Sequence, residues 1–325
     1  MILLRPGNYL RDVFRFIQCF RGRHLRNAFR LRCSFYYSRI SRKYFHRGLP
    51  LALAIETYAG CTLRCPECPA GQKTMGMSSG PMQMGLYQKV LEESGDGLFY
   101  VAFHFLGEPT LHPSFWDMVR MAADQACYTE LHTHGQLLPD IPPQRILESG
   151  LHRLRISVDG ASQDTYEIYR QGGSLEKIIS ATKMISAARK AAGGRGPLIL
   201  WQCILFRHNA HERKALHQLA KASGADALEF KTAWVKEADE VHPLLPPAKK
   251  DNRYTGKERK KYCWKVWHSC VVDRDGRVLP CCFDKDRAYP LGNAATQPLR
   301  EIWRSESAHR LRAAAYRKKH PLCGG

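Results

Sequence analysis

Leu51-Ala52-Leu53-Ala54-Ile55-Glu56-Thr57 reads as an apolar strand, and directly after it comes Cys61-Thr62-Leu63-Arg64-Cys65-Pro66-Glu67-Cys68. The ligand count in this loop is informative. A structural zinc site is normally closed by four ligands, whereas three thiolates leave one coordination position open. On a cubane iron–sulfur cluster held by cysteine thiolates, three protein ligands leave one iron free for a substrate or cofactor. A zinc knuckle or chance proximity of three thiols is the competing reading.

Outward from this loop, strand-like runs recur at 99–105, 128–133, 153–158, 198–205 and 226–231. Between them lie segments with apolar spacing near 3.6, at 84–94, 113–126, 174–191 and 211–223. Six strand-then-helix units predict an α/β fold with a parallel sheet and right-handed crossovers. Eight units would close a full barrel, so a partial (β/α)6 TIM-like barrel or a doubly wound sheet is expected. Functional residues should then lie on loops at the C-terminal ends of the strands. The expected organisation is a basic amphipathic segment at 1–50, the (β/α)6 core at 51–231, a Lys- and Pro-rich linker at 232–262 and a cysteine-bearing tail at 263–325.

The charge is lopsided. Of a net +20, residues 1–50 contribute +11, from eleven Arg and one Lys against the single acid Asp12. Phe14, Phe16, Ile17, Phe20, Leu25, Phe29, Leu31, Phe35 and Tyr36 are interleaved with them. Such a segment suits an anionic membrane surface or an acidic partner, or else a basic helix packed on the main domain. Nucleic acid is not expected, since no base-reading motif accompanies the charge. The first residues hold too short an apolar run for a signal peptide, and no run approaches a membrane span. A cytoplasmic protein is therefore expected, with peripheral membrane contact as the further option. Twelve cysteines in a reducing compartment, several of them clustered, point to metal.

The CxxxCxxC loop resembles that of the radical S-adenosylmethionine (SAM) superfamily, in spacing and in its place after the first strand. That resemblance implies a [4Fe–4S] cluster on Cys61, Cys65 and Cys68, whose open iron chelates SAM. Reduction then splits SAM to methionine and a 5′-deoxyadenosyl radical, which abstracts hydrogen from a substrate. Glu67 stands where the family usually has an adenine-touching aromatic residue. Gly107-Glu108-Pro109 resembles the family's GGEP turn, with Leu106 replacing its first glycine, and implies acceptors for the SAM amino group. Ile156-Ser157-Val158-Asp159-Gly160 resembles the ribose-contacting segment: Ser157 is the better candidate, and Asp159 is alternatively a helix cap. Arg170 is a candidate for the SAM carboxylate or a plain surface arginine. Thr133-His134-Gly135 occupies the place of a Thr-Asn-Gly turn. Gln202 and Lys231 are candidates to face the substrate cavity.

In the tail, Asp275-Gly276 between apolar residues predicts a β-hairpin that carries Cys281 and Cys282 beside Cys263. This order resembles a SPASM domain or its smaller twitch relative, which implies one auxiliary [4Fe–4S] cluster. Relatives usually end in Cys-x-x-Cys, and here the segment is His320-Pro321-Leu322-Cys323. Cys263, Cys281, Cys323 and His320 are the expected ligands, since imidazole can ligate iron. Cys282 or Cys270 is the alternative to His320, and zinc the alternative to a cluster.

Together these resemblances imply a radical enzyme that modifies a peptide or protein side chain, served by an electron donor such as a flavodoxin or ferredoxin. A carbohydrate or aminocyclitol alcohol dehydrogenase is the runner-up. A non-catalytic iron–sulfur carrier or binding protein is the alternative of another class.

Overall fold

The computed structural model describes residues 1–325 apart from 75, 77, 236–241, 256–261, 318, 320 and 324–325, and apart from the side chain of Cys323. Its strands are β1 (Ile2–Leu3), β2 (Ala52–Ile55), β3 (Tyr58–Ala59), β4 (Gly80–Pro81), β5 (Tyr100–Phe103), β6 (Tyr128–Thr133), β7 (Arg153–Ser157), β8 (Leu198–Leu205), β9 (Ala227–Thr232), β10 (Ser269–Val272), β11 (Arg277–Leu279) and β12 (Gly292–Asn293). The helices are α1 (Pro6–Cys19), α2 (Gly22–Ser41), α3 (Met84–Ser94), α4 (Phe115–Asp124), α5 (Pro143–Glu148), α6 (Gln163–Tyr169), α7 (Leu175–Ala191), α8 (Arg213–Ser223), α9 (Lys265–His268), α10 (Leu299–Arg304) and α11 (Glu306–Tyr316).

One sheet runs β1-β9-β8-β7-β6-β5-β2-β10-β11-β12. Its centre, β2, β5, β6, β7, β8 and β9, is wholly parallel. These six strands are the anticipated ones, within a few residues at each end. β9 does not pair with β2: its outer edge is covered by antiparallel β1. The barrel therefore stays open.

Side-chain alternation decides which face is the core. Leu53, Ile55, Val101, Phe103, Leu131, Leu154, Ile156, Ile199 and Trp201 point one way, into a buried cluster with Tyr87, Val119, Ile178, Ile185 and Leu216 of the covering helices. The opposite parity carries Tyr100, Glu130, His132, Arg155, Gln202 and Glu229 among apolar residues such as Ala54, Ala102 and Leu200. Arg155 Nε donates to Glu130 at 2.7 Å and its Nη1 to Gln202 at 3.2 Å, and it also pairs with Glu229. Lys231 completes this lining through Glu229, at 2.7 Å. The concave face thus carries a charged network.

The first fifty residues are packed on the domain. In α1, buried Asp12 accepts from Arg153 Nη2 at 2.5 Å and from the Tyr128 hydroxyl. Phe16 stacks edge-on against Phe99 and Tyr128, with centroids 4.7 and 5.1 Å away. These partners lie at the N-terminal ends of β5, β6 and β7, so α1 covers that end of the half-barrel. α2 sets Leu31 and Phe35 against Trp267 and Tyr316.

The cysteine-bearing tail continues the sheet. β10 lies parallel to β2, with Cys270 opposite Leu53, and β11 returns antiparallel through the expected Asp-Gly turn. Gly276 takes φ +87° there, a left-handed conformation that favours glycine.

Candidate functional site

The loop after β3 carries Cys61, Cys65 and Cys68 beyond the C-terminal end of β2. Leu63, Cys65, Tyr169, Phe206 and Val235 form an apolar wall against which Cys61 and Cys68 also pack. Gly71 allows the loop to fold on itself, because a Cβ there would lie 2.7 Å from the Cys65 amide nitrogen. Burial pushes the Cys61 thiol up to about 12 and raises Cys65, although Arg170 opposes the second shift. Thiols so placed stay protonated unless a metal takes the proton's place. Among the described residues, no three His, Cys, Asp or Glu side chains converge closely enough for a single ion. Thiols spread around a loop fit a polynuclear cluster better, because each iron takes its own ligand.

Neighbouring strand ends fasten this loop. Gly107 has φ +82°, and its missing Cβ would meet the Tyr58 carbonyl oxygen at 2.2 Å. The Glu108 amide donates to Gly60 O at 2.8 Å. The buried Glu108 carboxylate accepts from Thr110 and Thr133 hydroxyls, both at 2.6 Å, and from the His134 amide at 2.9 Å. His134 Nδ1 accepts from the Gln136 amide at 3.1 Å, which leaves the proton on Nε2. Nε2 lies 3.1 Å from Thr62 Oγ1, inside the cysteine loop, and 3.4 Å from Glu108. Burial lowers the His134 pKa against the pull of Glu108. A neutral imidazole thus ties the GEP turn to the thiol loop.

Asp159 is fully buried and caps no helix: the cap of α6 is Ser162, whose hydroxyl accepts from the Thr165 amide. Asp159 instead accepts from Arg170 Nε and from the Ile204 amide, both at 2.6 Å. Arg170 is no plain surface arginine, since its Nη1 reaches Cys65 Sγ at 3.8 Å. Ser157 stands half-buried at the end of β7. Sequence reasoning missed Asn209, which donates to Asp159 O at 2.8 Å and Ile204 O at 2.9 Å. It also missed Glu212, which holds the Ala161 amide at 2.9 Å. Asp159 and Ala161 lie 50 and 51 positions from them, and Asn209 in a polar turn carries no signal of its own.

A second thiol group forms in the tail. Cys281 is buried with Val266 and Ala315, and Cys263, Cys282 and Leu322 pack on them. Lys265 Nζ lies 2.9 Å from Cys282 Sγ. A hydrogen bond from Cys281, aided by Lys265, lowers the Cys282 pKa while Cys281 rises. Leu322 brings the chain before Cys323 to this group; the Cys323 side chain and His320 lie outside the described residues. Cys270 belongs to the main core. Lys285, its charge disfavoured by burial and supported by Cys68 and Cys282, stands between the two thiol groups.

An open parallel half-barrel with three thiols at the strand ends, extended by a second thiol group, defines a protein that presents clustered thiol ligands at two places. Residues 55–196 match the radical SAM superfamily, and residues 263–325 match an iron–sulfur cluster-binding domain, SPASM. The AdoMet-dependent heme synthase of Methanosarcina barkeri is 24% identical over 304 residues, covering 80% of this chain and 84% of the relative. The PqqA peptide cyclase of Gluconobacter oxydans is 26% identical over 283 residues, 78% of this chain and 76% of its own. The structure of anSMEcpe with bound AdoMet superposes with a TM-score of 0.62 at 20% identity, over 80% of this chain and 82% of that one. This chain is a radical SAM enzyme with a SPASM domain. A [4Fe–4S] cluster, SAM and auxiliary iron–sulfur binding come with that membership.

Proposed function

We propose that this enzyme abstracts hydrogen from a peptide or protein side chain. Cys61, Cys65 and Cys68 would hold the SAM-binding cluster, with Gly107, Glu108, Pro109, Ser157, Asp159 and Arg170 around the SAM. Bound there, the cluster and SAM supply reductive cleavage and the hydrogen-abstracting nucleoside radical. The protein's own part is positioning. Glu108 and His134 fix the loop, and the Asp159–Arg170 pair holds a cation against Cys65. Cys263, Cys281 and Cys323, with His320 or Cys282 as the fourth ligand, would hold one auxiliary cluster. Cys282 has geometry in its favour, lying beside Cys281.

The observation that carries the reading is the three-thiol loop clamped at the strand ends. For the substrate class, a hollow of about 550 Å³ opens beside Cys263 and Cys281, lined by Trp234, Tyr254, Phe283, Lys285 and Tyr289. Aromatic and cationic walls suit a peptide, and the relative from Gluconobacter oxydans is named for acting on one. A flavodoxin or ferredoxin would supply the electron. Residues 1–50 would meet an anionic membrane surface or an acidic partner.

Anaerobically reconstituted protein, reduced in the presence of SAM, should release 5′-deoxyadenosine. Release no greater than from a Cys65→Ala control would sink the catalytic reading. A peptide encoded beside the gene should change mass only when SAM and reductant are both present.

A further inference from the structure

The helices of the first 45 residues bury polar side chains and leave apolar ones exposed, against the usual amphipathic pattern. Beside Leu31 and Phe35, the inward face of α2 buries His24, Asn27, Ser34 and Ser38. Backbone groups satisfy them: Asn27 Nδ2 donates to Leu49 O at 3.0 Å, and Ser38 Oγ donates to Ser34 O at 2.8 Å. Its outward face carries Leu25, Phe29, Tyr36 and Ile40, which are 57%, 69%, 48% and 83% exposed. Their spacing places them in one stripe along the helix. α1 repeats the arrangement, burying Asp12 while Leu10, Val13, Phe14 and Ile17 face outward. Of the sixteen large hydrophobic residues exposed among the described residues, fourteen lie between Met1 and Phe45. Such concentration on two consecutive helices marks an interaction site.

The interleaved charge has one sign. Arg11, Arg21, Arg26, Arg30, Arg32, Arg39, Arg42 and Lys43 are exposed, and the single acid of this segment is buried against Arg153 and Tyr128. Beside α2, Arg23, Arg26, Arg30, Arg47 and Arg304 line a basic hollow of about 550 Å³.

We propose that α1 and α2 form a docking face for an anionic lipid bilayer. The proposal rests on the contact role given above to residues 1–50 and is independent of the catalytic reading. A bilayer suits this face better than a protein does. Protein contacts gather apolar groups into a core depleted of charge, whereas each residue of these stripes has an arginine within one helical turn. A bilayer interface separates the two by depth. Apolar side chains enter roughly 5–10 Å while guanidinium groups reach back to the phosphates. α1 covers the N-terminal ends of β5, β6 and β7, and the cysteine loop lies beyond the C-terminal ends. A docked chain therefore keeps the open end of its half-barrel away from the lipid beneath α1.

The test is flotation of the full chain with vesicles of phosphatidylcholine alone or mixed with phosphatidylglycerol. Recovery is expected with the anionic vesicles and should fall several-fold between about 50 and 500 mM salt as screening lengths shorten. The quadruple variant Phe14→Ser, Ile17→Ser, Phe29→Ser, Ile40→Ser should lower recovery at least about tenfold. Its circular dichroism and its 5′-deoxyadenosine release in solution should stay unchanged, because these side chains leave the core untouched. Equal recovery of wild type and variant, or no recovery of either, overturns the proposal. So does a wild-type dimer that the variant converts to monomer without vesicle binding, since a second copy would then cover the face.

Discussion

Arg287 forks onto both carboxylate oxygens of Glu56, at 2.9 and 3.0 Å, and turns its Nε to Asp273 Oδ2 at 3.1 Å. Glu56 follows the first parallel strand and the other two residues belong to the tail, so one buried cation joins the half-barrel to the cysteine-rich hairpin. Removing it strands two carboxylates out of water. Arg287→Met should cost about 3–5 kcal/mol of stability. Adding Glu56→Gln should recover part of that loss, because the uncompensated charge is then gone. Urea denaturation of the three proteins decides it, and an Arg287→Met midpoint equal to wild type would refute the link.

Gly107→Ala tests the turn that bears Glu108. The backbone there is left-handed, and the added methyl would lie 2.2 Å from Tyr58 O and 2.9 Å from Gly60 O. The loop must move, at a cost of roughly 2 kcal/mol or more. A lower melting temperature together with weaker SAM binding by calorimetry is the expected pair of results. An unchanged SAM affinity would show that the turn does not position the cofactor.

The six parallel strands were legible because each is a short apolar or alternating run between helical periods. α5 was not: six residues opened by Pro143 are too short to show a period. Residues such as Cys61, Glu108 and Arg170 stood out by motif, yet their contacts did not. That Asp159 receives Arg170 rather than capping α6 depends on Ile204 and Asn209, which the fold alone brings near. The path of the tail was also hidden. A cysteine-rich hairpin reads as a separate unit, and only the register of Cys270 beside Leu53 shows that it extends the sheet. The exposed apolar stripes of α1 and α2 escaped for a related reason, since apolar periodicity does not say which side faces inward.

Iron content should separate the tail cysteines. Cys263→Ala and Cys281→Ala should each lower iron by about four atoms per chain, one cubane's worth. Cys270→Ala should leave iron unchanged, because that thiol packs in the main core. Equal iron in Cys263→Ala and wild type would remove the auxiliary site.

Arg170 brings positive charge to Cys65 Sγ, and Asp159 fixes its direction. Hydrogen bonds and charge at the sulfurs favour the reduced, more negative state of a cluster. Arg170→Met should therefore lower the midpoint potential, by roughly 50–100 mV if one charged hydrogen bond is lost. A redox titration followed by electron paramagnetic resonance measures it. An unshifted potential would mean that Arg170 acts elsewhere.

Glu130 sets the acid limit of the concave network. Its carboxylate is buried, which alone would raise its pKa, but His132, Arg155 and Arg153 overcome burial and bring it down to about 2. A folded pKa below the usual 4.5 means that the ionised network stabilises the protein fully above pH 4.5. That stability drains away as pH falls through 2. A shift of this size corresponds to about 3 kcal/mol. Glu130→Gln should accordingly be less stable than wild type by up to that amount at pH 7 and at pH 5. The gap should narrow at pH 3, with urea midpoints measured on metal-free protein so that cluster loss does not intrude. A gap that stayed constant from pH 7 to pH 3 would show that the glutamate contributes through packing and not through its charge.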